Sequence, residues 1–126
     1  VKEFPQSNKW VLVVGDLMLD RYLIGDVQRI SPEAPVPVVL LKQQNDRAGG
    51  AANVAANLAG LGVETHIAGC VGQDTEASIL VGLINRMGIS TDAVIHSETR
   101  PTTAKTRVMS SHQQIVRVDQ ESAEPL

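Results

Sequence analysis

Arg47-Ala-Gly-Gly-Ala-Ala-Asn-Val-Ala-Ala-Asn-Leu-Ala-Gly-Leu-Gly62 is the stretch on which the reading of this chain turns. Gly49-Gly50 opens it, alanines fill it and Gly62 closes it. Alanine is the best helix former and keeps no neighbouring layer at a distance, so the segment reads as a helix lying close on a sheet. Val54, Leu58 and Leu61 fall at i, i+4 and i+7 and are its expected apolar stripe. Gly62 stands where such a helix stops. The paired glycines carry a second meaning. Without a Cβ, backbone N–H groups come within hydrogen-bonding distance of a ligand, and the first amides of a helix have no partners of their own. That combination suits an anion or a polyhydroxylated molecule. Asn53, on the first turn, can both donate and accept toward the same ligand. The plain alternative is a tight turn into a close-packed helix.

Outward from this helix the pattern alternates. Upstream, Trp10-Val-Leu-Val-Val14 is a short continuous apolar run that reads as a strand buried on both faces. Downstream, residues 64–70 form the next strand, and Asp74 caps a second helix that runs to about Met87 and stops at Gly88. Ile79, Leu80, Leu83, Ile84 and Met87 are its apolar stripe, and 92–96 is a further short strand. Two weaker strands, 22–28 and 36–43, are punctuated by Pro32, Pro35 and Pro37, which places them at an edge or in a small separate sheet. Residues 102–109 and 114–119 alternate around Ser110-Ser111-His112-Gln113 as a β-hairpin. The fold class is α/β, a parallel sheet with helices plus several polar strands that belong elsewhere.

The chain has 126 residues, 43% of them apolar, which supports one modest domain. Fourteen acidic and eleven basic side chains give a net charge of −3. Nucleic acid is therefore not an expected partner, and Phe4, Trp10 and Tyr22 are too few for a base-stacking platform. No apolar run approaches the roughly 20 residues of a membrane span, and the N-terminus lacks the charge-then-apolar order of a signal peptide. Cys70, the single cysteine, reads as a small buried hydrophobe in a reducing cytoplasm. The chain begins at Val1 and stops just after a polar stretch, and it reads as part of something longer.

Among residues able to carry chemistry, Asp16 and Asp20 follow the first strand, where the ligand crevice of an open α/β sheet lies. A carboxylate that accepts from two adjacent sugar hydroxyls gains roughly 1.5–3 kcal/mol per charged hydrogen bond. Capping of a turn is the alternative for Asp16, and solvation for Asp20. Arg100, Lys105, Arg107 and Arg117 gather around the hairpin. Alternation puts Lys105 and Arg107 on one face, where they could meet a phosphate, although a solvated charged face fits them too. Gly15 stands without the rest of a dinucleotide fingerprint, and there is no P-loop. His66, His96 and His112 have no metal-ligand spacing.

Gly49-Gly50-Ala-Ala-Asn53-x-Ala55, followed by Gly62 and Gly72, is similar to the N-terminal signature of the ribokinase-like carbohydrate kinases. Gly15-Asp16-Leu-Met-Leu-Asp20 resembles the motif whose last aspartate binds sugar hydroxyls in that family. Three segments narrow the resemblance to the bacterial branch acting on D-glycero-β-D-manno-heptose 7-phosphate. They are Val14-Gly-Asp-Leu-Met-Leu-Asp-Arg-Tyr22, Arg29-Ile-Ser-Pro-Glu-Ala-Pro-Val-Pro-Val38 and Gln113-Gln-Ile-Val-Arg-Val-Asp119.

The resemblance implies the N-terminal portion of a ribokinase-like three-layer sandwich, with a small β-lid built from about 22–43 and 102–119. It implies transfer of the ATP γ-phosphate, with Mg2+, to the C1 hydroxyl of the heptose. The resulting 1,7-bisphosphate would feed ADP-heptose and lipopolysaccharide core synthesis, and homodimers would pair through the lid. Asp16, Asp20, Gly49, Gly50, Asn53, Lys105, Arg107 and Arg117 are then substrate-binding. Met18 and Ala51 stand where ribokinase has Asn and Lys, so its ribose contacts do not carry over. The family's Gly-Ala-Gly-Asp segment, with its catalytic base, does not occur in these residues. The chain alone is thus expected to be inactive, to bind neither ATP nor Mg2+, to contain no catalytic residue, and to be marginally stable or oligomeric. A non-catalytic sugar-binding or dimerisation module of the same half-fold is the competing reading. A nucleotide enzyme on another α/β frame is disfavoured by the lone Gly15.

Overall fold

A computed structural model describes residues 9–124. Nine elements follow in order: β1 (Trp10–Val14), β2 (Leu17–Ile30), β3 (Pro37–Gly50), α1 (Ala51–Gly60), β4 (Glu64–Gly72), α2 (Thr75–Arg86), β5 (Ser90–Ser97), β6 (Thr103–Ser110) and β7 (Gln113–Gln120). They make two sheets. β1, β4 and β5 form a parallel sheet in the order β1-β4-β5, and the other four strands form a sheet of order β3-β2-β6-β7. In the second sheet β2 runs antiparallel to β3 and parallel to β6, and β7 closes it as the antiparallel arm of a hairpin. Ser111 and His112 make that hairpin's two-residue turn, both at positive φ (46° and 70°), the turn type whose twist matches the flanking strands.

Successive parallel crossovers that step the same way across a sheet are right-handed and place their helices on one face. Here α1 packs on β1 and β4, and α2 on β4 and β5. The covered face supplies Ile67 and Val71 to the core, with Val13 and Val94 packed against it. On the other face Trp10, Val14 and Ile95 are 60%, 71% and 68% exposed. This corrects the expectation that β1 is buried on both sides: it is an edge strand with one face bare. Cys70 shares that bare face and is half-buried rather than a core residue.

The helices also differ from expectation in which side they bury. In α1 the alanines Ala52 and Ala55 are buried, while Val54 and Leu61 lie exposed. Small side chains let the helix axis approach the sheet, so the alanine face wins over the Val54-Leu58-Leu61 stripe. In α2, Ala77, Leu80 and Ile84 are buried and Ile79 and Leu83 flank them, but Met87 falls past the helix end and is exposed. The core is shared by both sheets, since Leu17 and Leu19 of β2 and Ala104 of β6 join α1, β4 and α2 in one cluster.

Two polar ties hold α2 in place. Asp74 caps it by accepting from Ala77 N–H at 2.8 Å, and also accepts from the Thr102 N–H (2.8 Å) and hydroxyl (2.6 Å). Thr102, fully buried, in turn accepts from Gly72 N–H at 2.8 Å. Burial pulls the Asp74 carboxyl upward, but the bonds from the Thr102 hydroxyl, Thr102 N–H and Ala77 N–H outweigh it and leave the group below its usual range. The second tie is Arg21 on β2. Its guanidinium is held by Asp46 (2.8 and 3.3 Å) and reaches Glu76 on α2 at 3.3 Å.

Candidate functional site

Register decides what shares a face. Residues directly opposed on neighbouring strands point the same way. Across β2–β3, Met18 faces Gly49, Asp20 faces Arg47 and Tyr22 faces Asn45. Across β2–β6, Asp20 faces Lys105 and Tyr22 faces Arg107, and across β6–β7 Arg107 faces Arg117. Asp20, Gly49, Lys105, Arg107 and Arg117 therefore lie on one face of the four-stranded sheet. Asp20 sits inside β2 rather than in a loop after β1, and Gly49 and Gly50 end β3 rather than following it. Both strands are longer than their apolar segments.

The two glycines do different work. A Cβ on Gly49 would stand 2.1 Å from Asp20 Oδ2, so glycine makes the space in which that carboxylate rests against β3. Gly50 has φ +59°, and a Cβ there would meet the Asp16 backbone oxygen at 2.4 Å. The bend it permits brings Ala51 N–H to that same oxygen at 2.9 Å, locking the β1–β2 junction onto the start of α1. Gly50 is the N-cap, no side chain caps the helix and no acidic residue lies in its first turn. The positive end of α1 is thus left uncompensated by its own sequence. Asn53 is exposed on that first turn.

Asp16 contributes its carbonyl to this junction. Its side chain is exposed and lines a small cleft of about 30 Å³ with Cys70, Arg100 and Thr103 among others. A larger open concavity of about 600 Å³ lies at the start of α2, lined by Asp74, Thr75, Ser78 and His96, away from the residues singled out in the sequence. Arg100 donates to the Glu124 backbone oxygen. Among the described residues no group of three or more His, Cys, Asp or Glu is placed to hold a metal ion, and no helix is long and apolar enough to cross a membrane.

Charge on the site face is largely paired. Arg107 Nη1 meets Asp20 Oδ1 at 2.6 Å, and that hydrogen bond raises the guanidinium above its usual range against the opposing effect of burial. Lys105 lies 3.6 Å from Asp119 and 3.8 Å from Glu121, and Arg117 is 2.9 Å from Asp119. Tyr22 was not among the residues expected from sequence, nor was Arg47. Two guanidinium groups approach the Tyr22 ring, with Arg47 at 5.4 Å and Arg107 at 5.3 Å from its centroid. The signal was present, because Tyr22 stands two residues after Asp20 and so repeats its face once β2 is known to begin at Leu17.

The family profile described as pfkB family carbohydrate kinase matches residues 8–126. Among curated proteins, the chain is 67% identical over 123 residues to the bifunctional protein HldE of Methylobacillus flagellatus, covering 98% of this chain and 25% of that protein. It is 55% identical to that of Magnetococcus marinus (91% and 24% covered) and 48% identical to that of Helicobacter pylori (94% and 26% covered). The chain thus spans about a quarter of the length of these relatives. Among solved structures, a carbohydrate kinase from Agrobacterium tumefaciens superposes with a TM-score of 0.73 at 23% identity, covering 89% of this chain and 35% of that one. Arabidopsis thaliana ribokinase, complexed with ribose and ATP, gives 0.69 at 23% identity, with 86% and 34% covered. With the α/β architecture and the diglycine entrance to α1, these likenesses place the chain in the pfkB family of carbohydrate kinases, on a ribokinase-like fold.

Proposed function

We propose that this chain is the acceptor-binding part of a kinase that phosphorylates the C1 hydroxyl of D-glycero-β-D-manno-heptose 7-phosphate. The 1,7-bisphosphate so formed would supply ADP-heptose for the lipopolysaccharide core. The observation that carries this reading is the seating of the Asp20 carboxylate over Gly49, beside an uncapped helix start. One oxygen is committed to Arg107. A carboxylate has about four acceptor sites, so sugar hydroxyls have room on the same group. Asn53 and the helix-start amides that follow Ala51, whose own N–H is held by the Asp16 oxygen, would supply donors and an acceptor from the first turn of α1, and the cations of the sheet face suit a phosphorylated sugar. The resemblance of most of the chain to proteins named HldE supports heptose as the sugar.

ATP and Mg2+ belong to the nucleotide side of such a reaction. The described residues contain neither a Gly-Ala-Gly-Asp segment nor a metal-holding cluster. They do not fit that side, and no catalytic base is assigned to them. Phosphoryl transfer rests on positioning and charge stabilisation, and this part contributes the positioning of the acceptor. The four-stranded sheet would act as the lid over the sugar. Its exposed Leu40, Leu41, Val116 and Val118 support pairing of two lids in a homodimer, for which sedimentation velocity should give the mass of two copies. For the sugar site, calorimetric titration of the protein with heptose 7-phosphate should show binding that Asp20→Ala and Asn53→Ala lose with the circular dichroism unchanged. Equal binding by wild type and both variants would favour a module whose diglycine turn is purely structural.

A further inference from the structure

We propose that Arg47, laid over the ring of Tyr22, is the group that takes the phosphate of the phosphorylated sugar, and so sets the preference for a sugar phosphate over the free sugar. This rests on the acceptor-site reading above. The site face carries Arg47, Lys105, Arg107 and Arg117, and three of these are already matched by carboxylates: Arg107 by Asp20, Lys105 by Asp119 and Glu121, Arg117 by Asp119. Arg47 makes no ion pair and no side-chain hydrogen bond among the described residues. Its cross-strand neighbour is Asp20, the natural partner, but that carboxylate is turned to Arg107 and to the space above Gly49.

The Arg47 guanidinium instead lies 5.4 Å from the Tyr22 centroid. That cation–π contact seats the group beside the ring and takes none of its five N–H donors. A planar fork with free edges is the geometry that meets two phosphate oxygens at once. Asp20 and Tyr22 are two residues apart along β2, about 7 Å. A phosphorylated sugar lying along that strand meets the carboxylate with its hydroxyls and the guanidinium with its phosphate.

Calorimetry with heptose 7-phosphate and with the dephosphorylated heptose separates this from the acceptor reading. Wild type should favour the phosphorylated sugar. Arg47→Ala should weaken the sugar phosphate roughly 10- to 100-fold, the range of a lost charge-assisted pair, while the free sugar binds as before. Arg47→Lys should recover only part of the preference, because an ammonium is a point charge and not a fork. Tyr22→Leu, which removes the platform, should fall between wild type and Arg47→Ala. Lys42→Ala, in an exposed pair with Asp26, serves as the control and should bind both sugars as wild type does. Retention of the full preference by Arg47→Ala, or equal binding of the two sugars by wild type, overturns the role of Arg47 and leaves the acceptor site standing. Binding of neither sugar by wild type overturns both.

Discussion

Arg21 and Arg47 sit one step apart on the same two-stranded ladder, Arg21 opposite Asp46 and Arg47 opposite Asp20, yet they face opposite sides of the sheet. On the side toward α2, Arg21 is gripped by Asp46 and Glu76, its pKa raised by the hydrogen bond to Asp46 against the effect of burial. On the other side Arg47 has only an aromatic ring beneath it. One face spends its polar groups on architecture. The other pairs most of its charges as well but leaves Arg47 outside those pairs. The same contrast recurs in the carboxylates: Asp74 accepts three hydrogen bonds from Thr102 and Ala77, whereas Asp20 holds one arginine and lies against a glycine cleared for it.

The sharpest way to break this contrast is at the two glycines. Gly50→Val forces a β-branched side chain into positive φ and against the Asp16 backbone oxygen. It should cost about 3 kcal/mol or more in urea denaturation. Gly49→Ala meets chiefly the movable end of Asp20. It should cost about 1 kcal/mol or less in stability while displacing the carboxylate and abolishing sugar binding by calorimetry. The paired arginines come next. Arg21→Leu strands two partly buried carboxylates and should lose about 2 kcal/mol in the same denaturation measurement, whereas Arg47→Leu should stay within about 0.5 kcal/mol of wild type.

A smaller effect follows from pH. Asp74 has its folded pKa below the reference value of 3.8. Its contribution is therefore complete above that value and is lost as pH falls through the lower folded one. Asp74→Asn should flatten the acid limb of the stability profile and leave the limb near neutrality unchanged in slope. A steep acid limb surviving in that variant would move the titration to another carboxyl.

Much of the architecture was legible because Trp10–Val14 is an apolar run, Ile67–Val71 carries no charged side chain, and Gly62, Asp74 and Gly88 punctuate the helices. The polar halves of β2 and β3 were not. Asp20-Arg21 and Gln43-Gln44-Asn45-Asp46 are hydrophilic on both faces, so no period of two reports them as strand, and pairing energy rather than burial extends the ladder. The alanine face of α1 was hidden for a related reason: apolar periodicity weights bulk, and here closeness of approach wins. On the site, Asp20 and the diglycine are singled out by their places after β1 and before α1 and by the family motifs they resemble, but Arg47 and Tyr22 gain meaning only from register. Which cations are already neutralised is a property of strand order, carried by contacts such as Asp20 with Arg107 that lie 87 residues apart.

The most direct measurement is the affinity of the protein for heptose 7-phosphate with Asp20 intact and replaced by Asn. Asparagine keeps the shape above Gly49 and removes the charge and one acceptor oxygen. A site built to hold sugar hydroxyls on that carboxylate predicts a loss of at least roughly 10-fold with folding retained. Undiminished affinity in Asp20→Asn would mean that the sugar does not rest on this corner of the sheet.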